Sequence, residues 1–340
     1  MNVKNTTKRR SKSISKAIMS MLLILGFVPI VIMAINSYII NIDTLRERND
    51  LAKQSAVATI QKARTDLNKT TNDKLTEVSR QPIFENDFDF KQIRRDLQLT
   101  ISGDDSYTNV IFINQNGKFT SAKGIKDTAN LRTKDWYKGA IQKEGQIYWT
   151  TPHYLEATGK WMTTASTVVR NKKGDSGVIC FDISYDGIIN EFADMKVGRT
   201  GSLTLVSNTG NVINSTGNEN AGTVYKIGKN ISQSPEFKAI ANSKKRKGTL
   251  HIKGESKTQD IYFDKGNNSS VTWTFAKVSK KDLTTDQTAL FRNTVFIFIV
   301  IGILIVIVTI ASIRWITERV DILKNLIEQD ASGNLNKLDK

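Results

Sequence analysis

Two long stretches of this chain carry no charge. Residues 17–40 read AIMSMLLILGFVPIVIMAINSYII, and residues 294–313 are uncharged as well and richer in Ile and Val. A helix rises about 1.5 Å per residue and a bilayer's hydrocarbon core is ~30 Å thick, so each run predicts a membrane-spanning helix. Gly26 and Pro29 lie inside the first run, and membrane helices tolerate both. The basic lead of Lys8, Arg9, Arg10, Lys12 and Lys16 also fits the start of a secretory signal. The apolar run is longer than the ~7–15 residues of a signal core, however, and no small-x-small cleavage site follows, so it is expected to stay as an anchor. Residues 1–16 hold six Lys or Arg and no acid, which predicts a cytoplasmic N-terminus. Two spans then return residues 314–340 to the cytoplasm and leave residues 41–293 outside.

Between the spans the period changes twice. Residues 41–80 contain neither Pro nor Gly, and apolar positions recur at Leu45, Leu51, Ile60, Ala63, Leu67, Leu75 and Val78. That spacing predicts one helix of about 40 residues, part covering a domain and part pairing with a second subunit. Alternation then takes over. YTNVIFIN at 107–114, the turn signal Asn116-Gly117, and residues 118–122, 148–151, 161–169 and 176–184 predict about five antiparallel strands with helices on one side. A polar helix is expected at 132–143. The polar positions of WMTTASTVV (161–169) predict a strand with one face turned toward something wet. A second, smaller lobe repeats the plan: a hairpin at 201–215, a short helix at 235–242, and strands at 248–252, 256–264 and 271–278. The class is therefore α+β, with lobes at about 81–190 and 195–280. Past the second span, Ile316, Val320, Leu323 and Ile327 form a helical stripe, which Asp330-Ala331-Ser332-Gly333-Asn334-Leu335 is expected to break before any output domain.

Charge and cysteine narrow the classes. The outer region holds 38 of the 49 Lys and Arg and 28 of the 33 Asp and Glu. This excess is spread among acids without an aromatic-interleaved basic motif, so it reads as a solvated surface and not as a nucleic-acid site. The single cysteine, Cys180, stands in an apolar strand and reads as core packing, so no internal disulfide supports the lobes. His153 and His251 are the only histidines; with no Cys/His cluster, neither a metal site nor a cofactor is expected. The sequence lacks a nucleophile elbow, a phosphate-cradling glycine loop and paired catalytic histidines, so no catalytic residues are assigned.

The order of anchor, long helix, two sheet lobes, second anchor and a final helix with Asp-x-x-Gly-x-Leu resembles bacterial double-Cache receptors, most often methyl-accepting chemotaxis proteins. Local strings carry the likeness. They are Arg132-Thr-Lys134-Asp-Trp136-Tyr137, Pro152-His-Tyr154-Leu-Glu156-Ala-Thr-Gly159-Lys, Gly177-Val-Ile-Cys-Phe-Asp182-Ile, Val197-Gly-Arg-Thr-Gly201 through Gly210, and Trp273 with Lys280-Lys-Asp-Leu283. Residues from Ala311 onward are similar to the start of a HAMP linker. The resemblance implies a long N-terminal helix and two PAS-like antiparallel-sheet lobes between two membrane helices, with the ligand in the lobe farther from the membrane.

In members that bind amino acids, an Arg, a Trp and a Tyr hold the ligand carboxylate while a later Tyr and Asp hold its ammonium. Carried over by position, the resemblance implies Lys134, Trp136 and Tyr137 at one end and Tyr154 and Asp182 at the other, with Glu156 as a second acid. A cation, neutral donors and an acid held apart suit a zwitterion. Two positions depart from the pattern: Lys134 stands where Arg is usual, and a Lys is a point charge where Arg is a fork; Gly139 stands where some members place an acid. Trp136 and Tyr137 also have an ordinary use as a helix's anchor in the core. Asp182, inside VICFDI, needs polar partners if buried. Expected partners are a small-molecule ligand such as an amino acid or related amine or carboxylate, the membrane, a second copy of the chain as a homodimer, and downstream signalling proteins. A sensor driving a histidine kinase or a cyclic-dinucleotide enzyme, and a stand-alone surface binding protein, stay open as alternatives.

Overall fold

The structure, a computed structural model, describes residues 3–124, 130–156, 159–193, 195–198, 201–217, 224–253, 258–267, 271–278 and 280–331. Two helices hold the uncharged runs: α1, Val3–Ser79, with Pro29 inside it, and α6, Lys280–Ala331. Both contain stretches long and apolar enough to cross a membrane. Residues 1–46 and 283–340 form one compact unit, and residues 47–282 form another.

In the first unit the apolar side chains point outward; Met33, Leu25, Phe296 and Val308 are all exposed. Soluble proteins rarely show so much contiguous apolar surface. Small residues let the two helices approach. A Cβ on Gly26 would lie 3.2 Å from the Ile305 side chain, and one on Gly302 would lie 3.2 Å from the Phe27 ring, the close packing typical of membrane helices. The rings of Tyr38 and Phe291 meet edge to face with centroids 5.9 Å apart. The stripe from Ile316 to Ile327 is helical, as its spacing predicts. The Ser332–Leu335 part of the expected break lies outside the described residues.

The second unit contains two lobes with one topology. Lobe one has α2 (Phe90–Thr100), β1 (Tyr107–Asn114), β2 (Phe119–Ser121), α3 (Asp135–Gln142), β3 (Tyr148–Trp149), β4 (His153–Leu155), β5 (Lys160–Arg170) and β6 (Ser176–Ser184). Its antiparallel sheet runs β2-β1-β6-β5-β3, with β4 also paired to β5. After α4 (Asp186–Ala193) comes lobe two, with β7 (Ser202–Ser207), β8 (Val212–Gly217), α5 (Pro235–Asn242), β9 (Lys247–Lys253), β10 (Thr258–Asp264) and β11 (Thr272–Lys277). Its sheet runs β8-β7-β11-β10-β9, the same order element for element. The Asn116-Gly117 signal closes the β1–β2 hairpin, with Gly117 at φ +87°, a conformation that glycine adopts without a Cβ penalty.

The C-terminal part of α1 is consumed as a shared wall. Leu75 and Val78 pack with Ile93 and Leu97 of α2 against Val110, Phe112, Phe181 and Ile183 of the first sheet. Ala56, Val57 and Ile60 pack with α4 against Leu203, Leu205, Ile213 and Ala276 of the second. Three expectations change. Helices cover both faces of the first sheet, α1 and α2 on one and α3 on the other, because its β1 and β6 strands are apolar on both faces. The apolar stripe of α1 is largely spent inside its own chain, although Leu51 stays exposed. Finally, the polar face of β5 does not meet water: Thr164 and Ser166 are buried beneath α3.

Candidate ligand-binding site

Successive residues of a strand point to opposite faces, so the register decides what meets α3. Pairing sets Ile111 opposite Cys180, Asn109 opposite Asp182, Ser166 opposite Cys180 and Thr164 opposite Asp182. The α3 face therefore has two zones. One is apolar: Trp136 and Ala140 of α3 pack with Leu131 onto Ile111, Ile113, Val178 and Cys180. The Ser166 hydroxyl donates to the Trp136 carbonyl at 2.7 Å, tying helix to sheet. Burial pushes the Cys180 thiol well above its ordinary range, so it is an inert core residue.

One pleat further along, the same face turns polar with Asn109, Asp182 and Thr164. The Asp182 carboxylate accepts a 2.7 Å hydrogen bond from the Thr164 hydroxyl. Burial raises its pKa above the usual carboxylate value, while that hydrogen bond and the charge of His153 pull it back. Asn109 is spent on the backbone: its amide donates to the Gly124 carbonyl, and its side-chain oxygen accepts from the Val110 and Lys123 amides. That leaves Asp182 as the acid of the face.

The predicted site residues divide. Trp136 is buried and Tyr137 half-buried beside it, with ring centroids 6.0 Å apart. Lys134 is exposed at the joint that begins α3, where its carbonyl accepts from the Tyr137 and Lys138 amides. Asp182 lies on the face that α3 covers. Tyr154 does not. It pairs with Trp161 and meets that ring edge to face at 5.9 Å, and Trp161 belongs to the cluster on the α1 side. Tyr154 thus points away from Asp182, and the neighbour that faces Asp182 is His153, paired with Met162. Glu156 is exposed in the turn after β4.

Gly139 has a packing reason. A Cβ there would lie 2.2 Å from the Tyr148 ring, so the absent side chain lets β3 lie under α3. Sequence reasoning passed over His153, Thr164 and Asn109. The alternation of β5 pointed to Thr164, but nothing in the sequence set the register of β4.

Both lobes thus share one strand order, and in sequence they stand between two helices long and apolar enough to cross a membrane. The family model of the Cache domain (dCache_1) matches residues 31–296, and the chain belongs to this family. The chain is 27% identical over 225 residues to the methyl-accepting chemotaxis protein TlpA of Bacillus subtilis; the match covers 65% of this chain and 33% of that protein. It thus spans about a third of the length of this relative. The fold matches the sensory domain of the Campylobacter jejuni chemoreceptor Tlp3, solved with isoleucine bound, at TM-score 0.53 and 16% identity over 71% of this chain and 95% of that one. It also matches the ligand-binding domain of Mlp24 with asparagine, at TM-score 0.51 and 16% identity over 72% and 98%.

Proposed function

We propose that this chain detects a small amino acid, or a related amine or carboxylate, through lobe one and passes the signal across the cell membrane as a chemotaxis receptor. The observation that carries the reading is Asp182. A carboxylate inside a sheet face costs free energy unless it is paired, and one hydroxyl with a nearby imidazole leaves it holding its proton more tightly than usual. A ligand ammonium supplies the missing positive charge. Trp136 and Tyr137 offer apolar contact beside it, and Lys134, at the start of the covering helix, supplies a cation for the ligand carboxylate. Amino acids bound to the related folds of Tlp3 and Mlp24 support the ligand class. In this reading residues 41–293 lie outside the cell, both ends lie in the cytoplasm, residues from Ala311 begin a HAMP linker, and the receptor works as a homodimer with downstream signalling proteins.

Titration calorimetry with a panel of amino acids, amines and organic acids tests it. Asp182→Ala should cost any amine-bearing ligand on the order of 2–5 kcal/mol, about 30-fold or more in affinity. Tyr154→Phe should leave affinity within about twofold, since its hydroxyl lies on the other face. Lys134→Arg should preserve or strengthen binding of an ordinary α-amino acid. Unchanged affinity in Asp182→Ala would move the site elsewhere.

A further inference from the structure

Lobe two is built to the same strand order as lobe one, and its α5-facing surface has the same two zones. Most of it is apolar: Phe237 and Ile240 of α5 pack on Val206, Phe263 and Phe275. At the end of β11 it becomes polar. Lys277 and its partners across the sheet, Ser202 of β7 and Ile261 of β10, replace the Asp182, Asn109 and Thr164 of lobe one. Both charged residues stand near the end of the last strand, beside the start of the first, on the face covered by the lobe's helix. The sign is inverted: an acid in lobe one, a cation in lobe two.

Lys277 is only 6% exposed, and its Nζ lies 3.0 Å from Glu236 Oε1, itself 13% exposed. Glu236 stands in the first turn of α5, whose N-cap is Ser234. Burial alone would raise the Glu236 carboxyl, but the charge and hydrogen bond of Lys277 hold it below its ordinary range. The Tyr225 hydroxyl also bonds to Glu236, and the Lys277 ammonium lies 4.6 Å from the Tyr225 ring centroid. Ser215 accepts from the Tyr225 amide at 3.2 Å and shares a 3.0 Å hydrogen bond with Thr204. One group in this cluster is unspent. Ser202 is 1% exposed, its Oγ has no hydrogen-bond partner among the described residues, and its register places it on the same face as Lys277.

A buried ion pair adds little stability over an apolar pair of the same volume, and a buried hydroxyl without a partner is a cost. Both occur together here, at the polar end of a face whose remainder is apolar. We propose that lobe two is a second binding site, independent of the lobe-one reading, for a small carboxylate anion that displaces Glu236 from Lys277. The incoming carboxylate accepts from the Lys277 ammonium and the Ser202 hydroxyl, while Glu236 leaves with the first turn of α5. Glu236 is thus an internal competitor that occupies the cation until an external anion arrives.

The test uses the full chain in detergent, titrated with acetate, propionate and L-lactate at constant ionic strength, with chloride as control. Saturable binding is expected in the wild type, and at least about tenfold tighter in Glu236→Gln, because the competitor is gone. Ser202→Ala should weaken it several-fold with the ion pair intact. Lys277→Met combined with Glu236→Leu, which removes the pair without leaving a lone buried charge, should abolish it. A merely structural pair gives the opposite pattern, with Glu236→Gln binding no better than the wild type. That result, or absence of saturable binding in both proteins, would overturn the proposal. Should Glu236→Gln fail to fold, Ser202→Ala and the double variant decide, and full binding by either one rejects the site.

Discussion

Asp182, the proposed partner of a ligand ammonium, stands where its burial works against the charged form of its own carboxyl. Burial holds its carboxyl above the ordinary value of 3.8, so the folded protein binds that proton more tightly than the unfolded chain does. By linkage, the contribution of this group is most favourable below the ordinary value. It declines as pH rises through the window up to the raised value and is level beyond it. Asp182→Asn retains an oxygen for the Thr164 hydroxyl and removes the charge. Urea unfolding of the ligand-free protein between about pH 4 and 7 should therefore show the wild type losing stability relative to Asp182→Asn. The variant should be at least as stable at neutral pH. A wild type that gains on the variant as pH rises would mean that the carboxylate is already well paired without a ligand.

At the scale of elements, α3 is positioned by what Gly139 lacks. The Tyr148 ring occupies the space a Cβ would take, with its nearest atom 2.2 Å away. Alanine normally improves a helix interior by about 1 kcal/mol over glycine. Here overpacking should win, and Gly139→Ala is expected to destabilise lobe one by about 1–3 kcal/mol in chemical denaturation. Tyr148→Leu in the same chain should recover part of the loss by shortening the obstructing side chain. An increase in stability from Gly139→Ala alone would show that α3 and β3 are less tightly packed than the structure has them. The same helix carries Lys134, Trp136 and Tyr137, so a displaced α3 should also weaken ligand binding.

For the whole molecule, the proposed signal has to reach the membrane helices, and a ligand moves them only by binding two states unequally. The Tyr38–Phe291 contact offers a reporter. Tyr38→Cys with Phe291→Cys should form a disulfide at a rate that changes when ligand saturates lobe one. The native Cys180 is buried and adds little background. Equal rates with and without ligand would count against a shift of these helices. Assembly as a homodimer gains no support from the α1 stripe, because Val57, Ile60, Leu75 and Val78 are buried in the chain's own lobes. Subunit pairing would have to rest on other surfaces.

The sequence alone determined the two apolar helices, because length and the absence of charge are properties of a linear run. It also determined the lobe order and most strands, because turn residues such as Asn116-Gly117 and two-residue alternation act over short distances. Asp182 was legible for the same reason, as an acid inside an apolar strand. What lies opposite what was decided only by tertiary structure. A one-residue change of strand register exchanges the faces, so His153 and not Tyr154 came to face Asp182 once β4 had paired with β5. Gly139 looked like a departure from a pattern until the Tyr148 ring appeared against it. The Lys277–Glu236 pair joins residues 41 positions apart, a contact that no local pattern encodes and that only the packing of α5 onto the second sheet creates.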